Sequence, residues 1–269
     1  MQLSRAARII LVGAPGVGKG TQTERMLKRF PQLSSISSGD LLRENVRKRT
    51  PLGIQAESTM KRGDLIPDST ILRLILSELI SHGWLTTDAP RTMTLNSASA
   101  AGATAESGDD DDAFITSSPL TSQKYNFSED PNASFILDGF PRTAAQALQL
   151  DDLIPINLVV NITTPTAIIL DRICNRWVHA PSGRVYNTTF NAPKEEGKDD
   201  ITGEPLTRRA DDDPDTWKNR LQKFEETSMP LLEHYDRKGV LWTVQGNSSD
   251  EISPKLFAEF GKTFGRNQT

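Results

Sequence analysis

The chain has 269 residues, of which 36% are hydrophobic and 25% are charged, with a formal net charge of −4 at pH 7. The length allows one large domain or two small ones, of which we expect one. The composition is typical of a globular protein and excludes collagen-like, coiled-coil and wholly disordered chains. No apolar run reaches the roughly 18 residues that a membrane span needs, and no basic block favours nucleic-acid binding. The single cysteine, Cys174, excludes an internal disulfide and favours a reducing compartment such as the cytosol or mitochondrial matrix.

Strand patterns and helix patterns alternate along the chain. Short apolar runs predict buried strands at 8–12, 135–138, 157–162 and 240–244, and helical periodicity appears at 22–30, 39–49, 52–62, 69–82 and 213–238. Such alternation predicts a parallel sheet covered by helices. The N-terminus has no secretory pattern. Arg5 and Arg8 weakly resemble a targeting segment, which we expect to stay attached.

Two segments interrupt this alternation. Residues 86–132 are rich in Ser, Ala, Thr, Gly and Asp, and four aspartates follow one another from Asp109 to Asp112. The burial of so few apolar residues cannot offset the entropy cost of ordering the segment, so we expect a largely disordered and passive surface insertion. The alternative is that the acidic run binds a cation. Residues 175–213 contain many Gly, Pro, Asn, Asp and Thr residues and predict a small β-rich excursion.

The strongest chemical motif reads Gly-Ala-Pro-Gly-Val-Gly-Lys from Gly13 to Lys19 and lies between a predicted strand and a predicted helix. This is the pattern and the context of a phosphate-binding P-loop. Backbone N–H groups and the helix N-terminus hold phosphates, and Lys19 supplies a mobile positive charge. We therefore expect a nucleoside triphosphate to contact Gly16, Val17, Gly18, Lys19, Gly20 and Thr21.

A second motif follows the predicted strand 135–138. Asp138 ends the strand, where its carboxylate can bind Mg²⁺ through water, and Arg142 follows four residues later, where its planar fork can bind a phosphate. Residues 37–43 read Ser-Ser-Gly-Asp-Leu-Leu-Arg. Taken alone, Ser37 or Ser38 indicates only a helix cap, and Arg43 only a solvated helix residue.

Together these motifs resemble the adenylate kinase family of nucleoside monophosphate kinases. Gly20 stands between Lys19 and Thr21, and Gly-Lys-Gly-Thr is typical of that family rather than of GTPases or motor ATPases. The resemblance runs from residue 8 to about residue 260 and is broken only by the insertion. It implies an α/β P-loop fold with a parallel five-stranded sheet and flanking helices, a helical monophosphate-binding flap at 37–66 and a β-rich lid at 175–212. It further implies a monomer that transfers a phosphoryl group reversibly from a nucleoside triphosphate to AMP with Mg²⁺, giving a nucleoside diphosphate and ADP.

The resemblance also implies a role for individual residues. Catalytic roles fall to Lys19, Arg142, Arg176, Arg209 and Arg220. Arg172 would stack on the donor base, and the rest of the triphosphate site would comprise Arg176, Val185, Tyr186 and Ser248. Gln146 would read the acceptor base, and the AMP site would further include Ser38, Arg43, Asp64, Leu65, Ile66, Gly139, Phe140, Pro141, Arg142, Arg209 and Arg220. In the lid, a hydrogen-bond network would replace zinc at His179, Ser182, Asp199 and Thr202.

The identity of the two nucleotides stays open at this point. Residues 37–40, 176–179, 203–206 and 238–241 most resemble the mitochondrial subgroup that uses GTP as donor, which implies GTP and the mitochondrial matrix. An ATP donor and a cytoplasmic location are the alternatives. A UMP or CMP kinase usually has a shorter lid, and a non-enzymatic nucleotide-binding regulator would tolerate the loss of arginines that are all present here.

Overall fold

The computed structural model describes residues 2–50, 53–54, 56–57, 66–87, 125–189, 191–208 and 214–266. Its strands in chain order are β1 (Arg8–Gly13), β2 (Leu33–Ser37), β3 (Leu85–Thr87), β4 (Tyr125–Phe127), β5 (Ser134–Asp138), β6 (Leu158–Thr163), β7 (Arg176–Val178), β8 (Val185–Asn187) and β9 (Leu241–Gln245). Its helices are α1 (Lys19–Arg29), α2 (Ser38–Lys48), α3 (Asp68–Ser81), α4 (Ala144–Asp151), α5 (Thr166–Cys174), α6 (Pro214–Arg237) and α7 (Ser249–Phe264).

Five parallel strands form the central sheet in the order β2, β5, β1, β6, β9. The central strand β1 is buried along its whole length, as expected for a parallel strand covered on both faces. Its residues alternate between two cores: Ile9 and Leu11 pack in one, and Ile10 and Val12 pack in the other. The prediction of an α/β fold with a five-stranded parallel sheet is confirmed.

The carboxyl ends of the strands meet along one edge of the sheet. Ser37 of β2 pairs with Asp138 of β5, Leu11 of β1 also pairs with Asp138, and Gly13 pairs with Ile162 of β6. In open parallel sheets, ligands bind at this edge, next to the strand where the chain order reverses. Here that strand is β1, which leads directly into the predicted P-loop.

The edge strand β2 was not among the strands predicted from sequence. It reads Leu-Ser-Ser-Ile-Ser, and only Leu33 and Ile36 of its five residues are buried. A strand that pairs on one side only does not need a continuous apolar run, so the sequence carries little signal for it. The helix predicted at 22–30 begins earlier, at Lys19, because the P-loop leads into it without an intervening turn. The helix predicted at 52–62 falls mostly outside the described residues.

The predicted insertion at 86–132 needs correction at both ends. Leu85 pairs with Phe127 and Thr87 with Tyr125 in the antiparallel hairpin of β3 and β4. The hairpin is attached to the core because the neighbouring Trp84 stacks on Phe135 with ring centroids 5.9 Å apart, and because Leu85 is buried. The remainder of the insertion, with its acidic run, lies at 88–124, outside the described residues.

The long helix predicted at 213–238 is α6, and it spans 24 residues. Charged side chains recur along its length, as the amphipathic pattern indicated. In the described part of the chain, no helix combines the length and the apolar character that crossing a membrane requires.

Candidate active site

The P-loop connects the buried end of β1 to the start of α1. A side chain cannot replace the hydrogen of Gly13, because a Cβ there would lie 2.7 Å from the carbonyl oxygen of Ile162. A Cβ on Gly16 would lie 2.6 Å from Cδ1 of Ile173 in α5. No side chain caps the N-terminus of α1, so its first N–H groups are not used by a capping residue and can bind an anion.

Lys19 has three charged side chains within electrostatic reach. Its ammonium group donates hydrogen bonds to the carbonyl oxygens of Gly13 at 2.7 Å and Ala14 at 3.3 Å. Burial lowers the pKa of Lys19 to about 8, the carboxylate of Asp138 opposes that shift, and the positive charges of Arg142 and Arg220 add to it. Asp138, Arg142 and Arg220 therefore lie within electrostatic reach of Lys19, as the sequence interpretation requires of a phosphoryl-transfer site.

Arg172 joins the two segments that were predicted to hold the triphosphate. Its guanidinium group donates to the carbonyl oxygen of Val17 in the P-loop at 3.1 Å and to that of Asn247 at 2.7 Å, and burial lowers its pKa. Ser248, a predicted donor-site residue, caps α7 by accepting a hydrogen bond from the backbone N–H of Glu251. The loop before α7 is thus held against the P-loop by one arginine.

The predicted acceptor side of the site lies where β2 and β5 end. Gly139 has a φ of +86°, and a Cβ there would lie 2.8 Å from Oγ of Ser38. Arg142 donates through Nε to the carbonyl oxygen of Gly139 at 2.8 Å. Ser38, Gly139 and Arg142, which were predicted together for AMP, are therefore brought together by the fold, next to Asp138.

Gln146 lies at the same place, at the start of α4. Its Oε1 accepts a hydrogen bond from the backbone N–H of Arg142 at 2.6 Å, and its Nε2 donates to Oδ1 of Asp68 at 2.7 Å. Asp68 comes from α3 and was not predicted as part of the site. The chain separation of 78 residues leaves no local pattern from which this pair could have been found.

The other residues predicted for AMP differ in their surroundings. Arg43 forms an exposed ion pair with Asp40 at 2.5 Å on the first turns of α2. The side chain of Phe140 is buried in the hydrophobic core, so only its backbone is available to a ligand. Ile66 is half-buried before α3, whereas Asp64, Leu65 and Arg209 lie outside the described residues.

The predicted lid network is present, and it is larger than expected. His179 is buried and contacts Oγ of Ser182 at 2.7 Å through Nδ1 and Oε2 of Glu204 at 2.6 Å through Nε2. Its third predicted member, Asp199, accepts hydrogen bonds from the hydroxyl and the backbone N–H of Thr202, both at 2.9 Å. The network therefore connects the β7 to β8 hairpin with the following turn. A zinc-free lid stays a prediction.

Arg184 and Tyr186 are members of this network that the sequence did not indicate. Arg184 donates to both carboxylate oxygens of Asp199, at 2.7 and 2.5 Å, and holds the pKa of that carboxyl well below its usual range. The Tyr186 hydroxyl donates to Asp199 at 2.9 Å. Tyr186 was predicted to contact the triphosphate, but its side chain is buried within the lid. Val185 is exposed on β8, and Arg176 is half-buried on β7.

A tryptophan from α6 also contacts the P-loop. Trp217 is buried, and its indole N–H donates to the carbonyl oxygen of Pro15 at 3.0 Å. Its partner lies 202 residues away in the chain. A tryptophan in an otherwise charged helix segment is the one sequence signal that could have suggested such a contact.

The class of protein follows from where these charges converge. One place on the sheet edge brings together the glycine-rich loop with Lys19, the carboxylate of Asp138, and two arginines, Arg142 and Arg220. This is the arrangement that phosphoryl transfer between two phosphate groups requires. The site is therefore that of a phosphoryl-transfer enzyme.

Comparison with known proteins gives the family. The model of the adenylate kinase family matches residues 11–115, and the model of the adenylate kinase active-site lid matches residues 176–211. A mitochondrial GTP:AMP phosphotransferase of Saccharomyces cerevisiae is 42% identical over 268 residues, which cover 98% of this chain and 96% of the relative. A mitochondrial GTP:AMP phosphotransferase of Drosophila melanogaster is 35% identical over 249 residues, or 93% of each chain. The chain belongs to the adenylate kinase family.

Proposed function

We propose that this protein transfers the γ-phosphoryl group of GTP to AMP, reversibly giving GDP and ADP, as a monomer in the mitochondrial matrix. The observation that supports the reaction most strongly is that Asp138, Arg142 and Arg220 all lie within electrostatic reach of Lys19 in the P-loop. The names of the relatives in yeast and fly support GTP as donor and a mitochondrial location.

In this reaction, an α-phosphate oxygen of AMP attacks the γ-phosphorus while the bond from that phosphorus to the β,γ-bridging oxygen breaks. The attacking oxygen is already anionic near pH 7, so the enzyme needs no general base. Its task is to position the triphosphate against the phosphate of AMP and to balance the charge on the equatorial oxygens of the moving group. Lys19 would meet the β- and γ-phosphates from the P-loop, and Arg142 and Arg220 would bridge to the acceptor phosphate.

The carboxylate of Asp138 is a suitable ligand for Mg²⁺. Asp138 presents a carboxylate, a hard oxygen ligand of the kind that Mg²⁺ prefers, at a strand end within electrostatic reach of Lys19. When bound, Mg²⁺ neutralises charge on the β- and γ-phosphate oxygens, and Asp138 would hold it through water. Arg176 and Arg209 of the lid, by resemblance to the family, would add positive charge to the transferred group.

The test is the formation of ADP and a nucleoside diphosphate by purified protein with AMP and Mg²⁺, comparing GTP, ITP and ATP as donors. Controls replace AMP with UMP or CMP. A higher kcat/KM for GTP and ITP than for ATP, with AMP as acceptor, supports the proposal. A preference for ATP would overturn the assignment of the donor, and transfer to UMP or CMP in place of AMP would overturn that of the acceptor.

Location and assembly need separate measurements. Recovery of the protein in the matrix fraction of purified mitochondria supports the proposed location, whereas recovery in the cytosol overturns it. Light scattering coupled to gel filtration should give a mass close to the 29.7 kDa of the chain, and twice that mass would contradict a monomer.

A further inference from the structure

We propose that Asp68 is a specificity-determining residue that makes the acceptor site select adenine over a 6-oxopurine, by fixing which way the amide of Gln146 points. This inference rests on the proposed function and on the role that the family resemblance gives to Gln146, which is to read the acceptor base. It concerns a residue of α3 that touches Gln146 across the acceptor side of the site.

The two hydrogen bonds of Gln146 determine the orientation of its amide. A backbone N–H can only donate, so the group that faces Arg142 at 2.6 Å must be the amide oxygen. A carboxylate can only accept, so the group that faces Asp68 at 2.7 Å must be the amide NH₂. Rotating the amide by half a turn would place oxygen against carboxylate and N–H against N–H. Gln146 is therefore held in one of its two orientations from both sides.

That orientation matters because adenine and a 6-oxopurine present opposite patterns to an amide. The Watson–Crick edge of adenine accepts at N1 and donates from its 6-amino group, so it matches an amide N–H and an amide oxygen in a given order. Hypoxanthine donates from N1 and accepts at O6, so it matches the same amide only after the amide has rotated. The two bonds described above use one N–H and one oxygen lone pair, and a carboxamide has two of each.

A carboxamide that could rotate freely would bind both bases. Asp68 removes that freedom on one side, and the N–H of Arg142 removes it on the other. The selectivity thus comes as much from penalising the wrong base as from binding the right one, because the mismatched base meets polar groups whose hydrogen bonds it cannot complete. Asp68 acts through Gln146 and need not touch the nucleotide.

The test compares AMP with IMP, which differ only at N1 and at position 6 of the base. In Asp68→Asn, the new side chain can either accept from Gln146 or donate to it, so the rotated amide is no longer penalised on that side. We expect the ratio of kcat/KM for AMP to that for IMP to fall about tenfold, the effect of one hydrogen bond to a charged group. The KM for the donor should stay unchanged.

A purely structural role of Asp68 predicts a different result. Asp68 lies in the first turn of α3, so its loss could weaken the helix and lower activity with both acceptors equally. The ratio of kcat/KM for AMP to that for IMP would then stay unchanged, and that result would overturn the inference. Asp68→Glu, which keeps the carboxylate, should retain most of the preference for AMP. If Asp68→Asn does not fold, Asp68→Ser provides the same comparison, because a hydroxyl can also donate or accept. Failure of the wild-type protein to use AMP would contradict the proposed function instead.

Discussion

Gly139→Ala tests how the acceptor site is packed, and Gly83→Ala provides a matched control. Both glycines have positive φ, +86° at Gly139 and +69° at Gly83, where an L side chain is strained by roughly 1–2 kcal/mol. The surroundings differ: a Cβ on Gly83 meets no atom within 4 Å, whereas one on Gly139 would lie 2.8 Å from Oγ of Ser38 and 3.6 Å from Arg142.

The two variants should therefore separate strain from crowding. Alanine also restricts the unfolded chain, which offsets part of the strain, so Gly83→Ala should cost roughly 1 kcal/mol and lower Tm by about 2–4 °C. Gly139→Ala adds the cost of displacing Ser38, roughly 1–3 kcal/mol for an overpacked site. Its Tm loss should be at least about twice that of the control.

The kinetic effect should be confined to one substrate. Moving Ser38 and Arg142 disturbs the acceptor side, so Gly139→Ala should raise the KM for AMP several-fold and leave the KM for the donor close to that of the wild type. The assays are thermal unfolding by circular dichroism and initial rates with each substrate varied in turn. Equal Tm losses in the two variants, together with an unchanged KM for AMP, would refute the reasoning.

Four further predictions follow from the geometry. Lys19→Met should lower kcat by 100-fold or more, because it removes a charge that meets the transferred phosphates, while circular dichroism shows an intact fold; wild-type turnover would contradict the P-loop assignment. Because the pKa of Lys19 is about 8 and phosphates bind its charged form, calorimetry should show triphosphate affinity falling by up to about tenfold per pH unit above pH 8, and a flat profile would argue against this role. The pKa of Asp199 is lowered by Arg184, so the ionised carboxylate should stabilise the lid fully above about pH 4 and lose this effect only in stronger acid. Asp199→Asn should therefore speed proteolytic cleavage of the lid at neutral pH. Equal cleavage rates in the variant and the wild type would count against the network. Replacing 88–124 with a short turn should leave turnover within about twofold, and a large fall would show that the segment contributes to function.

The parts of the site that could be predicted from sequence are those encoded in contiguous residues. The P-loop was recognisable because a buried strand, a glycine-rich turn and a helix follow one another within about 20 residues, and each leaves its own local pattern. The same holds for Asp138, which directly ends a buried strand. Family resemblance then assigned Arg142 and Gln146 to the acceptor site, and the structure places these two residues in contact with each other.

What the sequence did not reveal depends on contacts between distant segments. Gln146 meets Asp68, and Trp217 meets Pro15, across 78 and 202 residues respectively. Neither pair has a spacing that a single sequence could reveal. The resemblance assigned Tyr186 to the triphosphate site, but the structure buries its side chain, with the hydroxyl group on the carboxylate of Asp199. The strand β2 was missed because serines fill three of its five positions.

The hydrogen bond between Trp217 and Pro15 gives this protein a built-in optical probe. The emission of an indole depends on the polarity and the hydrogen bonding of its surroundings, and this indole donates to a backbone carbonyl within the loop that we expect to close around a polyphosphate. The chain contains three other tryptophans, Trp84, Trp177 and Trp242, each of which can be replaced by phenylalanine to leave Trp217 as the sole emitter. The occupancy of the P-loop could then be followed in real time by stopped-flow fluorescence on an unlabelled protein.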